Sequence, residues 1–113
     1  MLQITFRHMT SSDALRTLAQ EKFERLSTHY VGPVRCHLVI DCRTGHARKG
    51  AQFTVHADLT IGREDTRIDA TAAHTQAPSA VREVFALLDR QLASRQQRRA
   101  EGPVPVDEAL LSA

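Results

Sequence analysis

The chain has no tryptophan, a single tyrosine and only two cysteines in 113 residues. Each scarcity excludes something. With so few rings, a nucleic-acid platform on which several bases stack against exposed aromatics is not available. Contacts to RNA or protein would have to come from charge, shape and hydrogen bonding. No stretch approaches the roughly 18 consecutive apolar residues of a membrane span. The segment Met1–Arg7 lacks the basic start and long apolar run of a secretory signal. Cys36 and Cys42 fall on one predicted strand, where a rise of about 3.3 Å per residue holds them on the same face but too far apart to bridge. Free thiols of this kind suit a reducing cytosol, so the expected location is cytoplasmic.

Motifs for catalysis are also lacking. Gly45 and Gly50 have the spacing of a phosphate loop, but no Lys-Ser/Thr follows Gly50, and the segment joins two strands instead of opening a helix. Gly-x-Ser-x-Gly, His-Glu-x-x-His and paired-cysteine zinc patterns do not occur. His37 and His56 both belong to the outward parity of their strands and could be cross-strand neighbours. A site shared with Cys36 or Cys42 would need ligands from both sides of a strand, so exposed polar histidines are expected and no metal. The reading is a binding protein without cofactor or enzymatic activity, since function has to be argued from a site.

What the chain does have is a clear alternation of periods. Leu2, Ile4 and Phe6 alternate with polar neighbours as a first strand. Thr10-Ser11-Ser12-Asp13 supplies an N-cap, best placed at Ser12. Leu15, Leu18, Ala19, Phe23, Leu26 and Tyr30 then recur at helical steps until Gly32-Pro33. Val34, Cys36, Leu38, Ile40 and Cys42 form the inward parity of a second strand. Phe53, Val55, Ala57, Leu59 and Ile61 form that of a third, and Ile68, Ala70 and Ala72 that of a fourth. The loop 44–50 and a polar turn at 62–65 separate these strands. Pro78 opens a second helix whose apolar stripe is Val81, Val84, Phe85, Leu88 and Leu92. The stripe stops there, which predicts a projecting or frayed end. The fold class is therefore α+β, in the order β-α-β-β-β-α. A four-stranded sheet is covered on one face by two helices, as in double-stranded-RNA-binding domains. One domain over 1–99 and an acidic, proline-containing, flexible tail over 100–113 are expected.

Charge is unevenly placed. Net charge is +2 overall, yet residues 82–99 carry +3 and the tail from Ala100 carries −3. The basic residues are 13 arginines to 2 lysines, and arginine is the better fork for phosphate. Arg16, Lys22 and Arg25 lie off the core stripe of the first helix. Arg82, Arg90, Arg95, Arg98 and Arg99 lie off or beyond that of the second. At 1.5 Å per residue they span about 13 Å and about 24 Å, enough for several phosphates. The competing reading is a solvated face held by local pairs such as Glu21–Arg25. The first helix is neutral overall, because Asp13, Glu21 and Glu24 balance its cations.

Three stretches of the first helix, Ala14-Leu15-Arg16, Glu21-Lys22-Phe23-Glu24-Arg25-Leu26 and His29-Tyr30, together with Ala80-Val81-Arg82 and Leu88-Asp89-Arg90-Gln91-Leu92 of the second, resemble the ribosome hibernation promoting factors. These are also called ribosome-associated inhibitors or sigma-54 modulation proteins, and the match is to the short form without a second domain. The resemblance covers about residues 1–99 and implies the same β-α-β-β-β-α order. It implies binding to the small ribosomal subunit and its ribosomal RNA, in the channel where messenger and transfer RNA decode, with no DNA and no membrane partner. By matching position it assigns RNA contact to Arg16, Lys22, Arg25 and Arg90, and further along to Arg95 and Arg98. Gln76-Ala77-Pro78, Arg82, Leu87 and Ser94 depart from the family's usual residues. Those departures leave a second expectation open: a protein-interaction module on the same scaffold that no longer binds ribosomes.

Overall fold

The computed structural model describes residues 1–30, 32–43, 52–62 and 66–101, with side chains up to Arg95. The elements are β1 (Leu2–Arg7), α1 (Asp13–Ser27), β2 (Val34–Arg43), β3 (Gln52–Ile61), β4 (Thr66–His74) and α2 (Ala77–Glu101). They make one sheet in the order β1-β2-β3-β4. The β1–β2 pair is parallel, joined by the α1 crossover, and the other two pairs are antiparallel. The expected α+β class and element order are thus observed. The 44–50 loop, the turn at 63–65, the tail from Gly102 and the side chains of Arg98 and Arg99 lie outside the described residues.

Inward residues stack in rows across the sheet. Ile4, Leu38, Ala57 and Ala70 form one row, and Phe6, Ile40, Val55 and Ala72 form the next. The β3 and β4 positions in these rows are mostly alanine, and that loss of volume lets α2 press close against both strands. Val81, Val84 and Leu88 of α2 are fully buried there, as are Leu38 and Ile40 below. Truncating such a side chain to alanine costs about 2–5 kcal/mol. Leu15, Ala19, Phe23 and Leu26 bring α1 into the same core. Leu2, Ile4 and Phe6 are only partly buried, because β1 is an edge strand.

Local signals account for the element ends. Ser12 is extended and its hydroxyl accepts the Leu15 amide at 3.2 Å, the predicted N-cap of α1. α1 ends at Ser27, before the Gly32-Pro33 stop. Gly32 (φ +106°) occupies the left-handed region open to glycine. In α2 the carbonyl of Gln76 accepts the Ala80 amide. Pro78 therefore sits in the first turn, where its missing N–H costs nothing. The helix continues past Leu92 to Glu101, up to the Gly102-Pro103 stop, as the projecting end that the sequence offered as one alternative. About nine residues, near 14 Å of helix, project beyond the last core contact.

Candidate nucleic-acid interface

α1 and α2 pack side by side on the inner sheet face, and their outer surfaces meet in a groove of about 180 Å³. Its lining is Lys22, Arg25 and Leu26 from α1, His29 just past its end, and Arg82, Phe85, Ala86 and Asp89 from α2. Both sets have the spacing i, i+3, i+4, i+7; on α2 this is one face of the helix, and on α1 the face runs to Leu26 and the turn after it brings His29 alongside. Leu26 and Phe85 are buried and make an apolar floor. Arg25 and Arg82 are exposed and Lys22 is half-buried, so three cationic heads surround that floor.

Asp89 is the one carboxylate in this lining. Its charge reaches Tyr30, whose phenol is pushed above its ordinary pKa first by burial and then by Asp89. Glu83, which follows Arg82, is not in the groove. It is engaged by His74 at the end of β4, so the acidic neighbour of Arg82 is turned away. Gln91 ties the next turn of α2 to the sheet by donating to the Asp69 carbonyl at 2.7 Å. The Glu21–Arg25 pair expected on α1 is not among the ion pairs of the described residues. Instead Glu24 accepts from the Gln20 amide at 3.3 Å.

Of the predicted contact residues, the fold brings Lys22, Arg25 and Arg82 together. Arg16 lies elsewhere, with its guanidinium carbon 5.2 Å from the centre of the Phe6 ring on β1. Arg90 and Arg95 are exposed farther along α2, outside the groove lining. Arg98 and Arg99 belong to the projecting end of that helix. His29 and Asp89 were not among the predicted contacts. Their signal was available in the shared spacing of 22-25-26-29 and 82-85-86-89, which places each beside a basic residue one or two turns away.

His37 and His56 do point to the bare sheet face, but they are not directly opposed. His37 pairs with Asp58, and His56 pairs with Val39 on one side and Thr71 on the other. Both cysteines are free, and burial pushes the Cys36 thiol up to about 12.

A fold with two helices on one face of a four-stranded sheet is shared with proteins of solved structure. Residues 2–100 match the family described as "Sigma 54 modulation protein / S30EA ribosomal protein", and the chain belongs to that family. No curated protein matches the sequence significantly. Among solved structures, a ribosomal subunit interface protein from Coxiella burnetii is similar with a TM-score of 0.67 at 20% identity, covering 85% of this chain and 97% of that one. The N-terminal domain of Thermus thermophilus Protein Y is similar with a TM-score of 0.66 at 15% identity, covering 79% and 90%. At these identities the two structures establish the shared fold.

Proposed function

We propose that this chain associates with ribosomes and acts as a hibernation-type translation inhibitor, occupying the decoding region of the small subunit through its basic helix faces. The observation that carries this reading is the groove in which Lys22, Arg25 and Arg82 converge with Asp89 as the one opposing charge. Membership of a family described by a ribosomal protein supports a ribosomal target. Structured RNA is recognised by shape, phosphates and 2′-hydroxyls, and arginine forks suit the phosphates. Phosphate contacts fix register and orientation without reading sequence, which is what a plug for an RNA channel requires. Inhibition is steric in this reading, and no bond is made or broken. Arg90 and, on the projecting part of α2, Arg95, Arg98 and Arg99 would extend the contact.

Cosedimentation with small subunits through a sucrose gradient tests the proposal. The protein should travel with the subunit at moderate salt and dissociate steeply as salt rises, because each neutralised phosphate releases counterions. Absence from the ribosomal fractions, at a salt where a ribosome-bound member of the family stays bound, would overturn it. Recovery of one protein partner from nuclease-treated lysate, with no ribosomal RNA from untreated lysate, would instead select the interaction-module reading favoured by the altered 76–82 segment.

A further inference from the structure

The bare sheet face carries a second constellation, remote from the helix groove and independent of the ribosome reading. His56 and Asp58 are two residues apart on β3, so both project outward. Asp69 pairs directly with Asp58 across the β3–β4 ladder. The ligand-capable atoms of His56, Asp58 and Asp69 all lie within 4.8 Å of one another. The geometry points to a divalent-metal site here, with the imidazole of His56 and the carboxylates of Asp58 and Asp69 as protein ligands.

Three features favour this reading over a solvated polar patch. The first is the cost of the arrangement without a cation. Like charges directly opposite on adjacent strands are destabilising, and among the described residues no ion pair engages the Asp69 carboxylate. A protonated His56 ring would offset Asp58, which lies 3.3 Å from Nε2, and Arg35 and Arg67 line the same cavity as both carboxylates, with no ion pair to Asp69 among the described residues. A dication offsets both. The second feature is the orientation of the ring. His56 Nδ1 is 2.7 Å from the Thr71 hydroxyl oxygen. With Nδ1–H donating to Thr71, the Nε2 lone pair faces the carboxylates. A hydrogen bond from the other ring nitrogen is the usual second contact of a metal-bound histidine.

The third feature is reach. Zinc holds nitrogen and oxygen ligands at about 2.0–2.2 Å, so the three donors must draw closer than they stand. The Asp58 side chain is 61% exposed and that of His56 is 37% exposed, so side-chain rotation supplies the movement while the ladder stays fixed. One imidazole with two carboxylates suits zinc and its neighbours manganese, cobalt and nickel, and is a poor set for magnesium. Three protein ligands leave a position for water or for an atom of a partner. This set differs from the histidine–cysteine combination that the sequence disfavours, because all three ligands come from one face of two adjacent strands. His37, opposite Asp58, is not among them; its Nε2 is 3.0 Å from the Thr5 hydroxyl.

Calorimetric titration of zinc chloride into the full chain at neutral pH tests the assignment. One zinc per chain should bind and raise Tm, with magnesium unable to compete. His56→Ala and Asp69→Asn should each abolish that binding. His37→Ala and Cys42→Ser should leave it unchanged. Thr71→Val should weaken it by about 10- to 100-fold, as loss of a positioning contact does. Asp69→Asn is isosteric and on an exposed face, so its apo form should fold and melt above apo wild type, the like-charge pair being gone. No zinc uptake by the wild-type chain, or uptake that survives both His56→Ala and Asp69→Asn, would overturn the site.

Discussion

The groove between α1 and α2 and the bare face of the sheet are both built from charged side chains, and they arrange them in opposite ways. On the sheet, Asp41 and Asp58 each meet a histidine or arginine, and Asp69 is the carboxylate outside these pairs. His8 lies 2.8 Å from Asp41, Arg43 lies 3.7 Å from the same carboxylate, and His56 lies 3.3 Å from Asp58. The His8 hydrogen bond, with nearby cations helping, holds the Asp41 carboxyl below its ordinary range. In the groove, Lys22, Arg25 and Arg82 share one lining with Asp89 as their counterweight, and the nearby Glu83 is drawn off by His74. A surface on which carboxylates are interleaved with basic groups has little to offer a polyanion. One that gathers a single sign around an apolar floor stores attraction for an external partner.

Charge reversal would break this contrast if it is wrong, and it should give the largest effect. Lys22→Glu/Arg82→Glu should weaken small-subunit binding on the order of 100-fold at moderate salt and flatten the salt dependence, since fewer phosphates are neutralised. Arg35→Glu/Arg43→Glu makes the same change in net charge on the sheet face and should cost only about threefold through the long-range field. Binding curves for the two double variants on the same ribosome preparation provide the measurement. Equal losses would mean that net charge, and not the groove, governs association.

Asp89 sharpens the comparison from the other side. Asp89→Asn removes the opposing charge in the groove, so binding should tighten a few-fold, within the ~1 kcal/mol expected of one partly exposed charge. The same variant should lower the pKa of Tyr30 toward the usual phenol value, because burial remains but the Asp89 contribution is lost. The sign follows from linkage. The raised phenol pKa favours the neutral, folded form, and the associated stability is lost as pH rises through the folded value. That loss should be smaller in Asp89→Asn than in wild type. Tyr30 is the chain's one tyrosine, so phenolate absorbance reports it without overlap.

The fold was legible in the residues because the periods switch cleanly. Strands with apolar residues on one parity, such as Val34 to Cys42, leave no choice of face, and Ser12 announces the start of α1 as plainly as Pro78 does that of α2. The groove was legible only in part. Charge and helix faces are sequence properties, so Lys22, Arg25 and Arg82 could be named. Which of them share a groove depends on how α1 and α2 meet. Packing at Ala57, Ala70 and Ala72 governs that approach, and no local pattern reveals it. Ala77 and Ala80, buried at the start of α2, were missed for a related reason: alanine is as common on exposed helix faces as on close-packed ones. The pairing of Asp58 with Asp69 needed the β3–β4 register, which no local pattern reveals.

Arg16 marks the edge of the comparison and carries the smallest expected effect. The family resemblance assigns it to RNA, yet the fold seats its guanidinium against the face of Phe6 on edge strand β1. A cation–π contact at an exposed site contributes about 0.5–1 kcal/mol, so Arg16→Ala should lower stability by that amount in urea denaturation. In a Phe6→Leu background the same substitution should cost almost nothing, the difference being the coupling between the two side chains. Phe6 also helps to cover the partly buried end of β1, so the single Phe6→Leu variant has its own packing cost, and only the cycle isolates the contact. Ribosome binding should fall less for Arg16→Ala than for Lys22→Ala, because the Phe6 contact turns Arg16 away from the groove lining. If the two losses are equal, the RNA-facing surface continues around α1 to the β1 edge, and the boundary between the two charged surfaces lies beyond Arg16.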